Sequence, residues 1–549
     1  MKIYIYYDIR GIQQYIFSIP QLKYIIGGSL VIADFDRKWK KENLTNEVEK
    51  IFTGGGKGVF CVEGAFYDKF RKHLINEAHS NGLDIRLSTA DTFLGAMNAA
   101  DDLHPYLSDS EDLNGYPCAA SGLWPVAKGK GRGSEKKIHP KVYQRLEKLK
   151  DDYFTKKLLA PDSRICTEIS NILNGRNPEF LTHISGEDDE GSKEVLARGR
   201  AGDNALGLRR RWAVIAMDGN DMGAQFRCAA EQAPDNKSAR ERIACMSLEL
   251  SKSCTFRAFE KALTSVVRDW AVNTNLDECT YHAGDEARVV LPFRPLILGG
   301  DDILLLAHCS HALQFVRVMS DAFTKEGEAA ARRIKDEKNF NLWPATKGKL
   351  TISAGISYTG VTYPLHTSIP YTENLLASAK KSMRRQCPPG KPVPAAVDWE
   401  HITETLIDNP AARRNRELIF HDEDLNMEIR LSRKPYKIDN IHRLVDIRCK
   451  SYQRIPSHIR ASLKSILMKP WAQRSCALAA FECGGTETRS LAADLQQYDY
   501  LKNKNMGPGW RLEEDNSTEK YLSTDILDAI SLIDEEHRMA QSNREGDVK

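Results

Sequence analysis

One order of elements, met twice along the chain, constrains the fold more than any other feature. A strand-like run at Lys2–Tyr7 leads into an apolar recurrence of helix length from Gly11, interrupted by Pro20 and Gly27-Gly28. KIFTGGGKGVFCVEG, two short apolar runs around a glycine turn, predicts a β-hairpin. A helical segment over Ala65–Ser80 and the run Leu83–Leu87 complete β-α-β-β-α-β, the split βαβ of ferredoxin-like folds.

The order returns from Arg211. RWAVIAM predicts a strand, and Ser238 to about Val272 a long helical stretch. RVVLPFRPLILGGDDILLLAHC predicts a hairpin with GGDD at its bend, followed by a helix over HALQFVRVMSDAFTKEGEAAARRIK. KLTISAGISYTG is then a strand and PYTENLLASAKKSMRR a helix. Both hairpins bend on glycines, Gly54-Gly55-Gly56-Lys57 and Gly299-Gly300-Asp301-Asp302, so the chain reads as an internal duplication with acids at one bend only.

The length of 549 residues suits three or four domains, at roughly 100–200 residues each. With 28% charged and 41% hydrophobic residues the chain reads as globular, and a net charge of +3 gives no bulk argument for nucleic-acid binding. Asp8 and Arg10 interrupt the N-terminal apolar run too early for a signal peptide. No run approaches the ~18 apolar residues of a membrane span. Twelve cysteines without a C-x-x-C argue against a zinc ribbon or disulfide framework; they read as small apolar residues of a cytoplasmic protein without a membrane partner.

In a split βαβ the first strand ends at the same sheet edge as the hairpin after the second. AVIAMDGNDMG would therefore deliver Asp218 beside Asp301 and Asp302. Clustered carboxylates repel unless a cation joins them. Three acids and a backbone carbonyl, best placed at Gly219, make an all-oxygen site suited to Mg²⁺ or Mn²⁺, with phosphate oxygens completing the shell. Gly299 and Gly300 permit the turn and leave room for a ligand. A lone GGDD is also an ordinary solvent turn; the conjunction with Asp218 and a basic helix favours the site. In that helix Leu375, Leu376, Ala379 and Met383 form a buried stripe, leaving Lys380 or Lys381 free to reach phosphate, while Arg384 and Arg385 read as a solvated last turn.

AVIAMDGNDMG, LILGGDDILLLA, TISAGISYTG and ENLLASAK, in that order, resemble the catalytic palm of the large polymerase-like subunit of type III CRISPR effector complexes, and more distantly GGDEF diguanylate cyclases. DIRGIQQYIF with IFTGGGKGVF resembles that subunit's first, non-catalytic palm, and SRKPYKIDNIHRLVDI with the segment after it resembles its C-terminal helical domain. The resemblance implies an α+β chain with two ferredoxin-like (βαββαβ) palm/cyclase domains, a helical linker and a C-terminal helical domain. The expected boundaries are 1–125 for the first palm, 126–207 for a basic loop, helical segment and mobile linker, 208–400 for the catalytic palm, and 401–549 for the helical domain. It further implies conversion of ATP or another NTP into cyclic oligonucleotide messengers, with two metals, Asp218, Asp301 and Asp302 as catalytic acids, and nucleotide contacts from Gly219, Asn220, Asp221, Gly299, Gly300 and Lys380. Gly54, Gly55 and Gly56 would shape an acceptor site. Effector-complex subunits, RNA and a downstream effector activated by the messenger are the implied partners.

Two departures stand out. The chain begins at its first palm, so no N-terminal HD nuclease domain is expected, and His421-Asp422 reads as a surface turn. The zinc-binding cysteine cluster of many family members is missing, with Cys118 standing alone, and the two departures together favour either a shortened subunit or a stand-alone relative. Gly129–Gly133 with Lys136 and Lys137 reads as a solvated basic loop, RGRAGDNALG as no phosphate fingerprint for want of a preceding strand, and Ser523 or Thr524 as a helix N-cap. Besides the nucleotidyltransferase, a structural RNA-binding subunit and a catalytically silent nucleotide sensor remain open readings.

Overall fold

A computed structural model of the chain describes residues 2–105 apart from 20, 116–117, 125–126, 130–132, 136–138, 140–149, 152–182, 193–207, 211–402 apart from 362, 389 and 390, 409–441 apart from 424 and 425, 444, 462, 465–466, 510–514, 520–524 and 527–528. Strand β1 (Lys2–Arg10) buries Ile5, Tyr7 and Ile9 on one face and Tyr4 on the other, because its apolar residues alternate over a sheet packed on both sides. Helices α1 (Ile12–Ile16) and α2 (Leu22–Lys38), hairpin strands β2 (Val48–Gly54) and β3 (Lys57–Glu63), α3 (Tyr67–Ser80) and β4 (Asp84–Ala90) follow. After α4 (Phe93–Asn98), β5 (Asp102–His104) adds an edge. The sheet order is β2-β3-β1-β4-β5, antiparallel throughout.

Gly27-Gly28, expected to interrupt a helix, lie inside α2. The glycines serve packing: a Cβ on Gly27 would stand 2.1 Å from the Arg145 carbonyl oxygen of α5 (Pro140–Leu149). Helices α6 (Tyr153–Leu158) and α7 (Arg164–Ile172) lead to β6 (Asn177–Phe180). Of the expected mobile linker, 193–205 forms α8 (Lys193–Ala205), whose Ala201 and Ala205 are buried; small residues four apart give that polar segment a packing face. The basic 130–132 and 136–138 pair as two short strands.

The second copy begins with β7 (Arg211–Gly219) and α9 (Met222–Glu231). A continuous helical stretch then runs as α10 (Asn236–Glu249), a π-helical segment over Leu250–Phe256, and α11 (Arg257–Val272). Strands β8 (Thr280–Ala283) and β9 (Glu286–Leu291) come next, then the hairpin β10 (Phe293–Gly299) and β11 (Asp302–His308). Here one expectation fails. β9 is no part of the GGDD hairpin: it joins a separate sheet, β6-β9-β8, pairing in parallel with β6. Pro292 separates β9 from β10, and proline suits a break between strands. Helix α12 (Ala312–Lys338), β12 (Ile352–Gly360), α13 (Leu365–Gln386) and β13 (Ala396–His401) complete the copy.

Beyond residue 401, the described residues comprise α14 (Pro410–Glu417), helical residues at 438–441, 444, 462, 465–466 and 527–528, and several strands; most of the expected helical domain lies outside the described residues. β14 (Ile419–Asp422), β15 (Met427–Arg430), β17 (Trp510–Glu514) and β18 (Lys520–Thr524) form a sheet ordered β14-β15-β18-β17, while β16 (Tyr436–Lys437) joins the second-copy sheet. His421-Asp422 therefore end a strand, and Ser523 and Thr524 end another, while the start of the helix they were expected to cap lies outside the described residues; Ile429 supplies a buried apolar residue that a strand needs. The runs IPSHIRASLKSILMKPW and DAISLIDEEHRMA lie almost wholly outside the described residues.

The second-copy sheet has the order β10-β11-β7-β12-β13-β16, which places its first four strands as β2-β3-β1-β4 stand in the first copy. The copies touch extensively. Tyr4, Val59 and Cys61 on the outer face of the first sheet, with Phe93, share a core with Ala230 of α9 and Ile243 of α10. Arg240 of α10 reaches Glu49 at 3.1 Å, and the Ser29 hydroxyl of α2 donates to the Leu296 carbonyl of β10.

Candidate active site

Each hairpin turns in two residues. In the first, Gly54 pairs with Lys57 across Gly55 (φ +64°) and Gly56 (φ +76°). In the second, Gly299 pairs with Asp302 across Gly300 (φ +61°) and Asp301. Left-handed φ explains the glycines. Register aligns the copies further: Asp8 pairs with Lys57, and extending Met217–Ile303 by one residue sets Asp218 opposite Asp302.

The turns are tethered differently. The Gly56 N–H donates to Asp36 Oδ2 at 2.8 Å, and Tyr7 Oη donates to Asp36 Oδ1 at 2.8 Å. In the second copy Thr255, in the π-helical segment, donates its hydroxyl to the Gly300 carbonyl. A π-turn inside a helix at a candidate site is a recurrent device.

Asp218, Asp301 and Asp302 are brought together as the sequence implies. Burial, then the charges of Asp218 and Asp302, and a hydrogen bond shared with Asp218 push the Asp301 carboxyl well above the usual carboxylate range. Asp302 opens onto the cleft yet is surrounded by protein, and this burial, followed by the Asp218 charge, raises it to about 6; Lys380 and Lys57 act in the opposite direction. Lys380 donates to Asp218 Oδ2 and, at 2.8 Å, to the Gly219 carbonyl oxygen. Arg384, one turn on, is exposed as expected of a solvated end charge and also holds Asp221 at 2.7 Å. Asn220 faces away, buried, its amide donating to Thr351 Oγ1 at 2.9 Å and its oxygen accepting from Ser353 at 3.0 Å.

The two turns line one cleft of about 2030 Å³ between the copies, with Gly54, Gly55 and Lys57 on one side and Gly299, Gly300, Asp301 and Asp302 on the other. Asp8, Arg10, Lys157 and Lys252 also line it. Sequence reading missed Lys57 and Glu373. Glu373 accepts from the Gln13 amide across the copies, and burial with the Asp302 charge raises it to about 7. Aligning the two hairpins would have found Lys57, which takes the place of Asp302; no local signal marks Glu373.

Among the described residues, no three His, Cys, Asp or Glu side chains are already gathered around a metal position, and Lys380 engages Asp218. The donor chemistry nevertheless fits a hard divalent ion: Asp218 and Asp301 share a hydrogen bond, and a Cβ on Gly219 would lie 3.1 Å from Asp301 Oδ2, so the carboxylates and the Gly219 backbone are neighbours.

Residues 211–387 match the family model described as Cas10/Cmr2, second palm domain. This segment holds Asp218, the GGDD turn and Lys380, so its similarity to the Cas10/Cmr2 second palm bears out the resemblance to the type III large subunit there. Solved structures similar to the chain include a Csm1–Csm4 cassette in complex with cA3, at 13% identity over 97% of this chain and 69% of that one, TM-score 0.43. A Csm1–Csm4 cassette in complex with AMPPNP is 12% identical over 97% and 69%, TM-score 0.40. The Csm1–Csm4 subcomplex of a type III-A CRISPR-Csm interference complex is 12% identical over 91% and 65%, TM-score 0.39. No curated protein matches the chain. Among the described residues no helix is long and apolar enough to cross a membrane.

Proposed function

We propose that the chain is a metal-dependent nucleotidyltransferase of two ferredoxin-like palms, joining ATP or another NTP into cyclic oligonucleotides with release of pyrophosphate, as a cytoplasmic large subunit of a type III CRISPR-like defence assembly. One observation carries this reading: the acidic turn of the Cas10/Cmr2-type palm and the glycine-lysine turn of the other copy line the same cleft.

Asp218, Asp301, Asp302 and the Gly219 carbonyl would hold Mg²⁺ or Mn²⁺. When bound, the ion supplies positive charge to the attacking 3′-hydroxyl, the α-phosphate and the leaving pyrophosphate. Lys380, released from Asp218, binds triphosphate oxygens. Gly299 and Gly300 present backbone without side chains, letting one nucleotide approach the acids. Gly54, Gly55 and Lys57 then position a second nucleotide opposite, and the low-dielectric walls of the cleft exclude water from the transfer.

The test is incubation of purified chain with each radiolabelled NTP and Mg²⁺ or Mn²⁺, followed by chromatography and mass spectrometry. Metal-dependent cyclic product is expected from the wild type and none from Asp301→Ala/Asp302→Ala. Identical products from both would remove the acids from the mechanism.

A further inference from the structure

Helix α13 carries two basic pairs, each spaced by one helical turn. Lys380 and Arg384 are neutralised by Asp218 and Asp221 on the palm side. Lys381 and Arg385 lie one residue round, exposed, and line a second cavity of about 1290 Å³ between α13 and the C-terminal strands. Seven cationic side chains line it against one acid, Glu513. The excess is real after pairing is counted. Arg414 is buried in a bidentate pair with Asp398 and also meets Glu400; Arg433 holds Glu513; Arg430 holds Glu428; Lys434 lies 3.8 Å from Glu400. Lys381, Arg385 and Lys437 make no ion pair among the described residues.

Acidic partners thus fix the inner cations, while Lys381 and Arg385 are exposed and Lys437 is half-buried along the same groove. The groove wall also offers a flat surface: the Arg430 guanidinium stacks on the Tyr521 ring at 3.7 Å. Asn374, Asn415 and Asn440 supply neutral donors and acceptors around it.

From this we infer that the groove between α13 and the C-terminal sheet binds a single-stranded polynucleotide, with phosphodiesters on Lys381, Arg385 and Lys437 and a base against the Arg430–Tyr521 stack. Lys381 and Arg385 are about 6 Å apart along the helix axis, the scale of successive phosphates in an extended strand. A positively charged track with a stacking platform is how strands are held irrespective of sequence. An acidic peptide would satisfy the cations but leave the stacked face unused, and a mononucleotide would fill a small part of the groove. The site is separate from the cleft of the acidic turn and does not depend on turnover there.

The test uses the full chain, with fluorescence anisotropy of a labelled 20-nucleotide oligouridine and its DNA counterpart across a salt series. Lys381→Ala/Arg385→Ala/Lys437→Ala should weaken binding at least tenfold and reduce the salt slope by about 2, as expected for three lost single-strand phosphate contacts, with an unchanged circular dichroism spectrum. Equal loss for RNA and DNA identifies a backbone site, and a larger loss for RNA assigns the asparagines to ribose hydroxyls. Should the triple variant fail to fold, 4-thiouridine crosslinking to wild type must give peptides containing Lys437 or Tyr521. Undiminished binding by a folded triple variant, crosslinks confined to the palm cleft, or binding of polyglutamate but not of either oligonucleotide overturns the inference.

Discussion

In the first hairpin both turn residues are left-handed glycines, the turn is tied by Gly56 to a buried Asp36, and the strand ends put Asp8 opposite Lys57. In the second, Asp301 replaces the second turn glycine, Thr255 ties the turn at Gly300, and two acids stand where the first copy has an acid and a lysine. A turn tied through its backbone leaves its side-chain positions free to diverge. The same scaffold can therefore present a neutral, phosphate-friendly edge on one side of a cleft and a cation-demanding edge on the other.

The largest expected difference between the turns is catalytic. Asp301→Ala/Asp302→Ala should lower product formation by about a thousandfold or more, measured as pyrophosphate release, with little loss of melting temperature because like-charge repulsion is relieved. Comparable activity in that variant would erase the distinction between the copies.

The next concerns the tether of the first turn. Burial raises the Asp36 carboxyl from 3.8 to about 6. The folded state then holds a proton that the unfolded chain releases, so this stability is present below pH 4 and is lost as pH rises through about 6. The loss should approach about 3 kcal/mol. Denaturant titrations of wild type and Asp36→Asn between pH 4 and 7 should differ by that slope, and parallel curves would show Asp36 to be unimportant to the turn.

Glycine substitutions sharpen the contrast. A Cβ on Gly56 would lie 2.3 Å from Ile12 Cδ1, whereas none on Gly300 meets anything within 4 Å. Gly56→Ala should cost about 2–3 kcal/mol, from clash plus left-handed strain, and Gly300→Ala about 1 kcal/mol from strain alone. Thermal unfolding of the pair checks the ranking. Smallest, Lys57→Ala should raise the KM for NTP about tenfold with kcat nearly unchanged, since it removes one charge-assisted contact; a fall in kcat alone would move Lys57 from binding to the reacting centre.

Much of this arrangement was legible before any coordinates. The alternation in RWAVIAM, the glycines of both bends and the Leu375, Ala379 and Met383 stripe carry their own structural signal, because strand period, turn chemistry and helix period are local. Asp218, the GGDD turn and Lys380 followed from topology and resemblance. What escaped depends on distant partners. β9 pairs with β6, more than a hundred residues earlier, and nothing in RVVL says so. Residues 419–430 are strands because β18, far downstream, pairs with β15. Gly27-Gly28 looked like a helix break and proved to be a seat for the α5 backbone.

The π-helical segment has a consequence for packing. Upstream, the buried side of the helix runs through Ala239, Ile243, Met246 and Leu250; downstream it runs through Ala258, Ala262, Val266 and Trp270. Cys254, buried midway between Leu250 and Ala258, joins the two stripes, so the inward positions continue through the wider turns at four-residue steps. One rod thereby serves both cores, with Ile243 near its start in the core shared with the first sheet and Met246 through Trp270 in the main core, and so ties the copies together without a break.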